Sequence, residues 1–165
     1  MSNNKDLFES LHQQHHPMVK QMCMGFMKGD LAMANDLSQE VFINIWRALD
    51  KFRGASSHKT WIYRVTVNTC LKHIGKNKAR NQIPFGELEQ ELPSVDNESE
   101  NTENHHLALY RAIGQLKELD RLIIMMVLDD LKYTEIANVI GLSEGNLRVK
   151  IHRIKATLKN ILENE

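Results

Sequence analysis

Tyr133-Thr134-Glu135-Ile136-Ala137-Asn138-Val139-Ile140-Gly141-Leu142-Ser143 has the grammar of a helix-turn-helix. Ala137 is small where two helices must approach, Gly141 can take the positive φ of the turn, and Ser143 is a good N-cap for the helix that follows. From Ser143 to Ile161 the residues Leu147, Ile151, Ile154 and Leu158 share one face at helical spacing, which predicts an inward stripe. The opposite face carries Gly145, Asn146, Val149, His152, Arg153 and Ala156, flanked by Arg148 and Lys155 on one side and Lys150 on the other. Arg148, Lys150, Arg153, Lys155 and Lys159 give the stretch five positive charges, with no acidic residue between Gly145 and Leu162. Such a helix can set its centre into a major groove while its flanks reach phosphates. Asn146 and Arg153 are the candidates for base edges, since Asn reads adenine and Arg guanine bidentately, and Val149 suits a thymine methyl. The competing reading is an amphipathic helix that binds a partner protein.

Working outward, the charge balance supports a nucleic-acid partner only when it is taken by segment. The 165-residue chain is formally neutral, with 21 Lys+Arg against 21 Asp+Glu. Residues 1–80 carry 12 basic and 6 acidic groups, residues 81–110 carry none and 7, and residues 111–165 carry 9 and 8. A basic body, an acidic middle and a mixed tail are different objects. The acidic middle is polar and aperiodic and holds two of the 3 prolines, Pro84 and Pro93, so it reads as a linker over residues 83–104. On both sides lie helical patterns and no alternating strand run. The fold class expected is all-α: a first helical domain over 1–82, a flexible acidic linker over 83–104, and a second helical domain over 105–165.

In the first unit Leu7, Phe8, Leu11, His15, Met18, Val19, Met22 and Phe26 recur at helical spacing, and Pro17 predicts a kink or a break. Gly29-Asp30 ends that segment and caps the next. There Leu37, Val41, Phe42, Ile45, Trp46 and Leu49 form an apolar stripe, leaving Asp36, Glu40, Asn44, Arg47 and Asp50 to solvent or a partner. The loop Lys51-Phe52-Arg53-Gly54-Ala55-Ser56-Ser57-His58-Lys59 mixes small, hydroxyl, basic and aromatic residues, a set suited to holding an unstacked base. An ordinary helix connection has the same length. The next helix has Trp61, Ile62, Val65, Cys70, Leu71 and Ile74 for its core face. On its other side Arg64, Asn68, Lys72, Lys76 and Arg80 recur at spacings of four and cover about 24 Å, the scale of a backbone-tracking stripe.

Other classes find little support. No apolar run approaches the roughly 20 residues of a membrane helix, and the first residues lack a signal-peptide core, so a cytoplasmic location is expected. Cys23 and Cys70 stand far apart without metal-ligand spacing, and the His12, His15, His16 group matches no standard metal site. There is no phosphate loop, nucleophile–base pattern or paired-carboxylate constellation, so no enzyme, metal or cofactor is expected.

The run Asn35 to Arg47, then Phe52-Arg53-Gly54-Ala55-Ser56-Ser57, then Thr60-Trp61-Ile62-Tyr63-Arg64-Val65 with Asn68, resembles region 2 of the extracytoplasmic-function sigma factors of bacterial RNA polymerase. Tyr133 to Arg153 resembles their region 4. The resemblance implies a promoter-specificity subunit that performs no chemistry of its own. It further implies that Asp36, Gln39, Glu40, Ile43 and Arg47 meet the clamp helices of core RNA polymerase. Phe52, Arg53, Ser56, Ser57, His58 and Lys59 would capture a flipped base of the minus-10 element, braced by Trp61. Arg64, Asn68, Lys72 and Lys76 would lie along that strand. Ser143, Gly145, Asn146, Arg148, Val149, Lys150, His152, Arg153 and Lys155 would address the minus-35 element, with the unit's outer surface on the polymerase flap. The acidic linker would thread towards the polymerase centre, and an anti-sigma factor is an implied partner that can hold the protein near the membrane. His58, Lys132 and Val149 depart from the family pattern, where Phe, Ser and Ser are common. The alternative is a free-standing helix-turn-helix regulator whose first unit is an effector domain. The Asp36–Arg47 surface separates the two, since only a sigma factor needs it for polymerase. On this reading the two units move freely about the linker until polymerase or an inhibitor fixes them.

Overall fold

The structure, a computed structural model, describes residues 2–80 and 101–164. The acidic run from Glu87 to Glu100 therefore lies outside the described residues. Among those described there are helices and turns and no strand: α1 Ser2–Phe26, α2 Leu31–Ala48, a 3-10 turn Leu49–Lys51, α3 His58–Arg80, α4 Asn101–Gly114, α5 Glu118–Leu128, α6 Tyr133–Ile140 and α7 Glu144–Glu163. The all-α expectation stands.

α1 runs unbroken through Pro17, where a kink or break was expected. A proline there removes one hydrogen bond and crowds the preceding turn, but Pro17 is exposed, so water can serve the freed carbonyl. Leu11 before it and Val19, Met22, Cys23 and Phe26 after it are buried on one face, and that continuous packing holds the helix through the defect. The helix ends where Lys28 and Gly29 take φ of 60° and 85°, with the Gly29 N–H returning to the Met24 carbonyl at 2.9 Å. Asp30 then caps α2, its Oδ1 accepting the Met33 N–H at 3.1 Å.

α2 buries Leu37, Val41, Phe42 and Ile45 as its stripe predicts, but Trp46 is not in the core and stays 47% exposed. At 100° per residue it stands a quarter-turn from Ile45, on the margin shared with Gln39 and Ile43. Leu71 is likewise exposed rather than part of the α3 core face. α3 instead buries Ile62, Tyr63, Thr66, Val67, Thr69 and Cys70, a wider face than its apolar residues alone indicate. The threonines fit because their hydroxyls donate back along the helix, Thr66 to the Ile62 carbonyl and Thr69 to the Val65 carbonyl, both at 2.7 Å.

That width has a cause in the second unit. α5 and α6 pack on α3, and α4 and α5 pack on α1, so the units do not stand apart as two free bodies. Arg121 to Met126 of α5 are buried without interruption, the pattern of a helix covered on every side. The close approach to α1 is made at Gly25, where a Cβ would collide with Sδ and Cγ of Met125 unless that side chain shifted.

Lys132 stands at the N-cap of α6 and its side chain makes no capping bond, although Glu135 Oε2 accepts the Lys132 N–H at 3.3 Å. Half a capping box is therefore present, and a serine would supply the missing acceptor for about 1 kcal/mol. Lys132→Ser in the full chain is expected to raise the melting temperature by about 2–4 °C. An unchanged or lower value in calorimetry contradicts this.

Candidate nucleic-acid and polymerase interface

The helix-turn-helix forms as its sequence implies. Gly141 adopts φ 83° and ψ 29° between α6 and α7. The Ser143 Oγ accepts the Asn146 N–H at 3.2 Å, so Ser143 is spent on capping and steers the start of α7. Leu147, Ile151, Ile154 and Leu158 are buried, which turns Asn146, Val149, His152 and Arg153 outward, Val149 being 52% exposed. A half-exposed valine between polar residues fits a face made for contact. Gly145 meets no neighbour within 4 Å of a notional Cβ, so backbone and ligand can come close there. Lys155 is exposed. The other two flanking cations are engaged: Lys150 Nζ lies 3.0 Å from Asp120 of α5, and Arg148 lies 2.8 Å from Glu144 with its guanidinium carbon 5.1 Å from the Tyr133 ring centre. Lys150 is held as a strut between α5 and α7.

In the first unit the loop before α3 folds round Phe52. Its ring centre lies 4.8 Å from His58 and 5.0 Å from Trp61, so Trp61 packs against the aromatic residue at the start of the loop. Ser57 N-caps α3, its Oγ accepting the Thr60 N–H at 3.1 Å and meeting the Thr60 hydroxyl at 3.0 Å. Ser56 donates to the Ser57 carbonyl at 3.3 Å. Gly54 takes φ 74° at the bend, leaving Arg53 and Lys59 exposed on either side of it. Asn68 and Lys72 are exposed and Arg64 half-buried on the outer side of α3, while the side chain of Lys76 lies outside those described.

His15 of α1 reaches this corner. Burial, then the Lys59 charge, then His58, hold its imidazole below the usual histidine range. The folded chain therefore binds that proton less readily than the unfolded chain. This contribution to stability is complete above the ordinary histidine pKa and falls as pH drops through about 6.5. His15→Gln is expected to flatten the loss of unfolding free energy between about pH 7.5 and 5.5. A slope equal to that of the parent protein excludes His15 as its source.

On α2 the residues Asp36, Gln39, Ile43 and Arg47 are exposed, and Glu40 is half-buried towards Cys70, its charge felt at that thiol. Asn44 faces inward and donates to Thr69 Oγ1 at 3.0 Å, tying α2 to α3. Ile43 is 50% exposed beside Trp46, whose ring leans on Phe8 edge-on at 5.3 Å. Sequence reasoning placed Trp46 in the core. An apolar centre rimmed by charges suits contact with protein better than tracking of phosphates.

Residues 11–80 match the sigma-70 region 2 family and residues 106–158 match sigma-70 region 4. The ECF RNA polymerase sigma-E factor of Escherichia coli K12 is 35% identical over 136 residues, covering 76% of this chain and 71% of that protein. The chain belongs to the extracytoplasmic-function sigma factors. The RNA polymerase sigma-H factor of Pseudomonas aeruginosa aligns with 97% of this sigma factor and 88% of its own length at 26% identity. Two solved folds are similar over nearly the whole chain. One is the sigma factor RpoE of Bartonella quintana, solved in complex with the anti-sigma factor NepR. It has a TM-score of 0.80 and 17% identity, over 94% of this chain and 96% of that one. The other is CnrH in complex with the cytosolic domain of CnrY, at a TM-score of 0.70 and 22% identity, over 99% and 92%. A sigma factor accounts for both halves together, which the free-standing regulator does not. No helix among the described residues is long and apolar enough to cross a membrane.

Proposed function

We propose that this sigma factor binds core RNA polymerase through the α2 surface of Asp36, Gln39, Glu40, Ile43 and Arg47, with Trp46 added at its apolar centre. Region 2 spans 1–82, the linker 83–104 and region 4 105–165. The loop Phe52, Arg53, Ser56, Ser57, His58 and Lys59 receives a flipped minus-10 base, with Ser57 shaping the loop through its cap. Arg64, Asn68, Lys72 and Lys76 guide the strand along α3. In region 4, Asn146, Val149, His152 and Arg153 face the minus-35 base edges, while Gly145, Arg148 and Lys155 approach the phosphates. Ser143 orients the helix, and Lys150 contributes through its strut to Asp120. The protein recognises and opens DNA but catalyses no reaction, and it works in the cytoplasm. An anti-sigma factor is its natural inhibitor, by analogy with the Bartonella quintana sigma factor solved in such a complex.

The exposed Ile43–Trp46 patch, set among Asp36, Gln39 and Arg47 on a helix that packs on α1 and α3 and makes no contact with α7, carries this reading. A free-standing regulator has no use for it. Affinity of the Asp36→Ala/Gln39→Ala/Arg47→Ala variant for core polymerase tests it, and a loss of at least about tenfold with an unchanged melting temperature is expected. Parental affinity would move the docking surface elsewhere.

A further inference from the structure

The sequence groups His12, His15 and His16, and the fold divides them. His12 and His16 lie one turn apart on α1 with their ring centres 5.0 Å from each other, His12 exposed and His16 half-buried. His15 reaches instead towards the corner where Lys59 and His58 add their charges to it. Both rings of the pair rest on Phe42 of α2: His16 stacks on it at 5.9 Å and 19°, and His12 lies 4.4 Å from it. Phe8, one turn before His12, has ring contacts with His12, Phe42 and Trp46.

Two imidazoles four residues apart on one helix face can chelate a metal ion. A zinc ion takes each imidazole nitrogen at about 2.0–2.1 Å, so it stands about 3.2 Å from each ring centre, and two such rings at a right or tetrahedral angle lie about 4.5–5.2 Å apart. The separation of His12 and His16 falls within that range. We propose that His12 and His16 form a two-histidine clip for a late first-row divalent ion of the zinc and copper class, with water filling the other positions. Imidazole suits these ions, whereas magnesium and calcium take oxygen ligands. The site does not depend on the sigma-factor reading of the chain.

Packing prepares the pair for this. With both rings held against Phe42, less side-chain freedom is lost when an ion joins them. A cleft lined by Phe8, Glu9, His12 and Gln13 opens beside the pair and leaves room for the ion's waters. Among the described residues no three His, Cys, Asp or Glu side chains converge to hold a metal, so an ion in the clip is exchangeable rather than a structural one closed by four protein ligands. It stands where α1 meets α2, one aromatic ring from Trp46.

Calorimetric titration of the full-length folded protein with zinc chloride tests the clip. One ion per chain is expected, and magnesium chloride should give no heat of binding. Because the second imidazole binds within the same molecule, His12→Gln and His16→Gln should each weaken zinc binding at least about tenfold. His105→Gln/His106→Gln, which removes the adjacent exposed histidines of α4, should bind as the parent does. Parental binding by His12→Gln and His16→Gln, or a loss on the α4 variant instead, would show an adventitious ion only and overturn the proposal. So would a parent that binds no zinc, or a loss confined to one of the two variants, which would leave a single imidazole as ligand. Fluorescence fixes the place: in a Trp61→Phe background Trp46 is the remaining tryptophan, and cupric chloride should quench it strongly. Adding His16→Gln to that background should abolish the quenching at the same copper concentration. A Trp46 that copper leaves bright, or one quenched equally without His16, would overturn the assignment.

Discussion

Arg153→Ala is expected to weaken promoter binding by the polymerase–sigma complex tenfold or more, with the loss confined to one base pair of the minus-35 element. Arg153 is exposed on the outward face of α7, between His152 and the buried Ile154 that fixes the helix rotation. A bidentate arginine on guanine discriminates by about 1–3 kcal/mol against the wrong base. Lys155→Ala supplies the contrast: a phosphate contact should weaken all sequences alike and reduce the slope of log affinity against log salt by about one. Arg148→Ala should do less than either, because Arg148 is already engaged by Glu144 and Tyr133. Binding titrations on minus-35 single-base variants separate these outcomes. Uniform losses for Arg153→Ala across those variants would reassign it to the backbone.

Trp46→Ala is expected to lower affinity for core polymerase by about 30-fold or more while leaving the fold intact. Half-exposed tryptophans at the centre of a charged rim are the usual energetic anchors of protein interfaces, worth about 2 kcal/mol or more on truncation. Trp46 gives little to the core, its main ring neighbour being Phe8 on the edge of α1. Truncation should therefore shift the melting temperature by only a degree or two. A large stability loss with parental polymerase affinity would return Trp46 to the purely structural role that its place in the stripe first suggested.

The contrast between Trp46 and Leu147 explains what was legible. Along α7 the apolar residues are few and cleanly spaced, so a 3.6-residue period alone placed Leu147, Ile151, Ile154 and Leu158 inside and the contact face outside. The cap at Ser143 and the turn at Gly141 were local chemistry and equally readable. α2 has apolar residues beyond one stripe, and periodicity cannot divide them between a core and a partner. Tyr63 and Arg121 were opaque for another reason: each is engaged by the other unit, Tyr63 by Asp129 and Arg121 by Phe26, a long-range contact that leaves no spacing in either segment. Pro17 showed the reverse, a strong local signal outweighed by packing on both sides of it. Among the candidate site residues, spacing revealed which were polar and aligned. It did not reveal that Lys150 is held by Asp120 or that Ser57 is held in a cap.

The measurement that bears most directly on the account is run-off transcription from a genomic promoter pool, using core RNA polymerase with and without this protein. Discrete transcripts that require the protein, with start sites sharing sequence near minus-10 and minus-35, are the predicted result. No protein-dependent transcripts and no core binding, alongside sequence-specific DNA binding by the protein alone, would contradict it.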